Sequence, residues 1–232
     1  MSKHGKKYTE ASKKITPGIS LPVADALAKL KELAFTKFDE SVDLHVNLGI
    51  DASKGEQVVR GSVVLPHAKG GVARVLVFAK GSHADQAQKA GADFIGAEDL
   101  IEKINNGWMD FDYAIATPDL MAMVGKVAKI LGPRGKLPNK KLGTVTFDVE
   151  DVVNDLKRGR VFFKNDKSGI VHFSFGKISF SPEKLHENLV VFTKALAAVK
   201  PPSSKGKFLR KMTITSTMGV GIQINPDDLL RS

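Results

Sequence analysis

Hydrophobic and polar positions alternate most strictly in two segments that lie far apart in the chain. Val42, Leu44, Val46 and Leu48 are separated by Asp43, His45 and Asn47, the period of two of a strand with one buried face. Met212 and Ile214 alternate with Thr213 and Thr215, stop at Thr217 Met218 Gly219, and resume at Val220, Ile222 and Ile224. This reads as two short strands joined by a tight connection. A hairpin so short is not stable by itself, so the pattern predicts that it completes a sheet begun at 42–48. The two end regions then form one domain, interrupted by the chain between them.

The remaining pattern supplies the other elements. Val23, Ala26, Leu27, Leu30 and Ala34 follow Ser20 Leu21 Pro22 at helical spacing, predicting a helix to about Leu33 and then a loop, 35–41, with two aromatics. A strand at 61–65 ends at Pro66, and His67 to Gly71 reads as a hinge. Val72 to Ala79 is nearly continuous in apolar residues, as in a strand buried on both faces of a parallel sheet. Helix at 85–90, strand at 94–95, helix at 97–104 and strand at 111–116 follow, and Thr117 caps a helix with Pro118 at its first position. That order predicts a small doubly wound α/β domain, closed by a helix bearing Val149, Val152, Val153 and Leu156 and stopped by Gly159. Strands return at 161–163 and 170–175 around a turn at Asn165–Gly169. Ser181 Pro182 then opens a helix with Leu185, Leu189, Phe192, Leu196 and Val199 in one stripe. The outer domain is therefore expected to be α+β, an antiparallel sheet with packed helices.

Charge narrows the function. With 35 Lys and Arg against 25 Asp and Glu the net charge is +10, which suits a polyanionic partner, nucleic acid or an anionic membrane face. No cysteine is present, excluding disulfides, thiolate zinc sites and a cysteine nucleophile. No apolar run approaches the roughly 18 residues of a spanning helix. Met1 to Ile15 reads as a flexible basic tail and not as a signal peptide, and a cytoplasmic location is expected. Lys126 to Lys141 holds six basic residues and no acid, and Lys200 to Lys211 holds five and none. In the first, glycines and prolines hold the backbone open while Arg134, Lys136 and Lys140 project charge suited to phosphates. Its spacing is not that of a Walker loop.

Catalytic patterns are absent. Ala79 Lys80 Gly81 Ser82 has one glycine where a dinucleotide fingerprint needs three. The six histidines are scattered, and His172 in a strand reads as a packing or hydrogen-bonding residue. No metal box or acid/base carboxylate pair is visible, so no catalytic residue, metal or cofactor is expected. A nucleotide-dependent enzyme and a general nucleic-acid binder are the rival readings.

Lys37 Phe38 Asp39 Glu40 Ser41 before an alternating strand, Gly132 to Lys140, Asn165 Asp166 Lys167 Ser168 Gly169, Lys205 Gly206 Lys207 and Thr217 Met218 Gly219 stand in register along the chain. Together they resemble the first large-subunit ribosomal protein family, the L-one family, in its bacterial form. The likeness covers essentially the whole chain, with Lys140 standing where the family often has Pro. The resemblance implies an outer domain of residues 1–66 plus 159–232 that binds large-subunit ribosomal RNA, and an inserted Rossmann-like domain over 67–158. It further implies a place in the mobile side stalk, help in releasing deacylated tRNA from the exit site, and repression of the protein's own operon through its mRNA. The free protein would be a monomer with no membrane partner, ribosome-bound in the cytoplasm.

Carried over by position, the RNA-binding core is Lys37, Phe38, Glu40 and Ser41 in one loop, Asp166, Lys167 and Ser168 in the turn, and Ser216, Thr217, Met218 and Gly219 at the hairpin. Lys205 and Lys207 add affinity, and Arg134, Lys136 and Lys140 form a secondary basic loop. Phe38 and Met218 offer apolar surface to sugars or bases, hydroxyls reach 2′-hydroxyl groups, and Gly219 permits close backbone approach. Glu40 would have to accept bonds from a base amine or a ribose hydroxyl.

Overall fold

The computed structural model describes residues 5–16, 18–68, 70, 73–204 and 206–231. Residues 1–4 of the basic tail, Lys69 and Gly71 of the expected hinge, Val72 of the expected strand, and Lys205 lie outside these. Lys6–Lys13 form helix α1 where the sequence suggests a flexible tail. Lys, Glu and Ala are good helix formers whatever their charge. The helix buries Ala11, and Lys14 just beyond it pairs with Glu32 at 3.3 Å. Helix α2, Val23–Glu32, starts after Pro22 and buries Val23, Ala26, Leu27 and Leu30. Strand β1 runs Ser41–Leu48 with every second side chain buried, and β2 runs Arg60–Val64.

The middle of the chain changes to parallel pairing. Strand β3, Val75–Phe78, is buried at all four positions, as a central strand covered on both faces must be. Helix α3 (Ser82–Lys89), β4 (Phe94–Gly96), α4 (Glu98–Asn105) and β5 (Tyr113–Ala116) follow. The order in the sheet is β4-β3-β5, with Leu76 opposite both Phe94 and Ala114. After β5 a continuous helix is not formed. A single 3-10 turn at Pro118–Leu120 leads into two four-residue helices, α5 (Met121–Val124) and α6 (Ala128–Leu131), which are linked by another at Gly125–Val127. Thr117 stands at the cap position but its side chain makes no capping bond, and Gly125 is a poor helix former in the interior. Helix α7, Val149–Lys157, buries Val149, Val152, Val153 and Leu156, and Gly159 ends it at φ +105°.

Strand β6 (Arg160–Lys164) pairs with β2, and β7 (Ile170–Lys177) follows the turn. Helix α8, Pro182–Ala198, is capped by the Ser181 hydroxyl, which accepts from the Lys184 N–H at 3.4 Å. Its stripe of Leu185, Leu189, Phe192 and Leu196 is buried, and Phe192 stacks on Phe173 at 3.9 Å. Val199 falls at the helix end and is 36% exposed, so the stripe stops at Leu196. Strands β8 (Leu209–Ser216) and β9 (Ile222–Ile224) and helix α9 (Pro226–Arg231) complete the chain. The antiparallel sheet has the order β7-β1-β8-β9, and β1 pairs with β8 through Leu44 opposite Ile214 and Val46 opposite Met212.

The protein is thus mixed α and β, with an antiparallel and a parallel sheet. Its chain divides into two compact units, Met1–Gly70 with Phe162–Ser232, and Gly71–Val161. No helix among the described residues is long and apolar enough to cross a membrane.

Candidate nucleic-acid interface

Charge divides unevenly between the units. Residues 1–70 and 162–232 hold 22 Lys and Arg against 13 Asp and Glu, whereas 71–161 hold 13 against 12. The discontinuous unit therefore carries nearly all of the excess positive charge.

At one end of its four-stranded sheet, two loops are tied together at Ser41. The Ser41 N–H donates to the Thr217 hydroxyl at 3.1 Å, and the Thr217 N–H donates to the Ser41 carbonyl at 3.1 Å. Lys177 donates to the Ser41 hydroxyl at 3.0 Å from the end of β7. This brings Ser41 against Thr217, with Lys37 and Phe38 just before Ser41 in one loop and Met218 and Gly219 just after Thr217 in the other. Phe38 is 56% and Met218 54% exposed, so each opens an apolar surface to solvent. Gly219 cannot be replaced there without displacement, because a Cβ would strike the Ser216 hydroxyl and lie 3.6 Å from its backbone nitrogen.

Two residues expected on this surface are inside it. Glu40 is fully buried, its carbonyl accepts from the Ile178 N–H, and neither carboxylate oxygen has a hydrogen-bond partner among the described residues. Ser216 is 3% exposed beneath the turn. The alternation explains both: Ser41 opens the strand with its side chain outward, so its neighbour Glu40 turns inward, and Ser216 continues the inward set of Met212 and Ile214.

The turn at Asn165–Gly169 is at the other end of the same sheet. The Asp166 carboxylate accepts from the N–H groups of Ser168 at 2.9 Å and Ile170 at 2.8 Å, and Gly169 takes φ +77°. These backbone bonds, first that of Ile170, together with His172 hold the Asp166 carboxyl below its usual range. Asp166 therefore shapes the turn, leaving Lys167 and Ser168 exposed. Lys207 reaches the same end, since the Phe208 carbonyl accepts from Gly49 just after β1, but its ammonium pairs with Asp227 at 3.3 Å. From Ser41 to Asn47 the strand climbs about 20 Å, so the structure does not bring the turn together with the Phe38 and Met218 loops.

Between the two ends lies a half-exposed sheet face that sequence reasoning does not assemble. Asp43, His45 and Asn47 stand on β1, His172 and Ser174 on β7, Lys211, Thr213 and Thr215 on β8. His45 and His172 are register partners with their Nδ1 atoms 2.8 Å apart, and His172 Nε2 is 3.5 Å from Asp166 Oδ2. Burial, then the neighbouring His172, push the His45 pKa down, against a smaller upward pull from Asp43. Only the pairing register could have revealed this pair, because its members are 127 residues apart.

In the other unit the expected basic loop is divided. Arg134 and Lys140 are exposed. Lys136 is turned inward: it donates to the carbonyls of Met109, at 3.3 Å, and Phe111, and lies 4.9 Å from the Phe111 ring centroid. A cation held over an aromatic face and two carbonyls is not free to grip phosphate. Among the described residues no group of three or more His, Asp or Glu could hold a metal ion.

Comparison with known proteins gives a consistent result. Residues 30–220 match the ribosomal protein L1p/L10e family. The chain is similar to the large ribosomal subunit protein uL1 of Thermus thermophilus, 49% identical over 227 residues that cover 97% of this chain and 99% of the relative. The uL1 sequence from a second strain of the same organism matches at the same identity and coverage.

Proposed function

Since this chain belongs to the ribosomal protein L1p/L10e family, we propose that it is a constituent of the large ribosomal subunit that binds ribosomal RNA and catalyses no reaction. The observation that carries the site assignment is the pair of exposed apolar side chains, Phe38 and Met218, on loops stitched together at Ser41 within the strongly basic unit. An apolar ring and a thioether beside hydroxyls and Lys37 suit a folded RNA whose sugars and splayed bases are recognised by shape, stacking and 2′-hydroxyl contacts. Lys167, Ser168 and Lys207 add backbone contacts at the far end of the sheet. Lys205, outside the described residues, joins them by its place in the sequence motif. Arg134 and Lys140 form a secondary contact of the other unit. Glu40 and Ser216 act from within, and the exposed Asp166 through its bonds to the Ser168 and Ile170 N–H groups, all by shaping the loops that touch RNA.

On this reading the chain has two domains: an outer α+β RNA-binding domain built from both ends of the sequence, and an inserted Rossmann-like domain. The protein is a monomer when free, sits in the mobile side stalk, assists release of deacylated tRNA from the exit site, and represses its own operon by binding its mRNA. Support for these finer roles is the family likeness alone. Competition at fixed salt tests the central claim, with a labelled large-subunit stalk RNA against the same RNA unlabelled, a scrambled RNA and duplex DNA. Efficient competition by the stalk RNA alone is expected. Equal competition by all three would reduce the protein to a general polyanion binder.

A further inference from the structure

The two clusters of the proposed RNA site stand at opposite ends of β1 and β7, about 20 Å apart. An RNA that touches both must pass over the half-exposed face between them. His45 lies midway along that path, with Thr213 opposite it on β8 and Gln223 opposite Thr213 on β9. The His172 side chain is 53% exposed. The charged groups around the pair are Asp43 on β1, Lys211 on β8, and Asp166 and Lys167 in the turn.

The hydrogen-bond geometry fixes how protons can be arranged. Two Nδ1 atoms at 2.8 Å need one proton between them. With His172 offering Nε2–H to Asp166, its Nδ1 is the acceptor and His45 Nδ1–H the donor. That leaves His45 Nε2 with a lone pair. A lone pair repels a phosphate oxygen. One added proton at His45 Nε2 turns it into a charged donor and leaves the Nδ1–H···Nδ1 bond intact. A second proton, on His172 Nδ1, would break that bond.

The geometry points to His45, oriented by His172 and Asp166, as a proton-dependent contact for an RNA phosphate: the phosphate accepts from Nε2–H of His45, and binding takes up one proton. This rests on the RNA-binding reading above and adds the sheet face to it. Because burial and His172 hold His45 neutral in the free protein at neutral pH, the proton is acquired on binding.

The test is the affinity of the full chain for the stalk RNA between pH 6 and 8 at constant ionic strength. Calorimetry in two buffers of different ionisation enthalpy counts the protons taken up. Affinity is expected to rise severalfold as pH falls, with a slope approaching about tenfold per unit for one linked proton. His45→Gln should abolish both the slope and the buffer-dependent heat. His172→Gln, which keeps a hydrogen-bonding side chain but removes the titrating partner, should shift the slope to higher pH. Specific binding with no pH slope, or an unchanged slope in His45→Gln, would overturn the phosphate contact while leaving the RNA reading intact. Absence of stalk-RNA preference at every pH would overturn both.

Discussion

Among single residues, the side chains proposed to recognise RNA are first used to hold the protein's own loops. Thr217 accepts from the Ser41 N–H, so Thr217→Val should lower stability by about 1 kcal/mol, the net worth of one hydrogen bond, and weaken stalk-RNA binding along with it. Urea unfolding and a binding isotherm on one preparation check the pair of effects, and a loss of affinity at unchanged stability would move the hydroxyl from support to direct contact. Glu40 presents the opposite case, a carboxyl group with no exposure and no donor within reach among the described residues. A buried polar group without a partner is costly, so Glu40→Met, which keeps the length of the side chain and removes both oxygens, should raise the melting temperature. A fall in melting temperature would show that the carboxyl group itself stabilises the loop. The sequence motif containing Glu40 is legible, but its burial is not, because one step along a strand decides whether a side chain faces water or core.

Taken as elements, β1 and the turn that leads into β7 join two titrating groups to one pH response. The Asp166 carboxyl is held low by the Ile170 N–H, His172 and the Ser168 N–H, so its contribution is present above the unfolded carboxyl pKa and is lost as pH falls through the folded value. His45 is also held low, by burial and by His172. Below about pH 6.5 the unfolded chain takes up the histidine proton before the folded chain does, and stability falls from there toward the folded pKa. Both act in one direction. The urea midpoint should therefore decline in two stages between pH 7 and the acid range, and His45→Gln should remove the upper stage. Alternation in the sequence locates β1, β8 and β9 and the buried face of each. It does not foresee the broken helical path after Thr117, where a missing capping bond and Gly125 outweigh the favourable Pro118.

Across the whole molecule, the excess of positive over negative charge belongs almost entirely to the unit built from both chain ends. Replacing residues 71–161 with a short Gly-Ser linker should therefore leave most of the stalk-RNA affinity and most of its salt dependence in place, since both follow the number of phosphates neutralised. Binding isotherms at two salt concentrations check this, and a collapse of affinity with the remaining fold intact would assign Arg134 and Lys140 a larger share. Lys136 contributes to neither outcome, because its ammonium serves the carbonyls of Met109 and Phe111.

Strand periodicity, helix faces, the interruption of one sheet by a second pattern, the basic balance and the ordered family motifs are all properties of residues near one another in the chain, and all are readable from it. Whatever depends on register between distant segments appears only on folding. Pairing of β1 with β7 sets His45 against His172 and puts the Asp166 turn at the far end of the sheet from Phe38 and Met218. Periodicity needs only adjacent residues, whereas register is fixed when strands separated by more than a hundred residues close on one another and bury their apolar faces together.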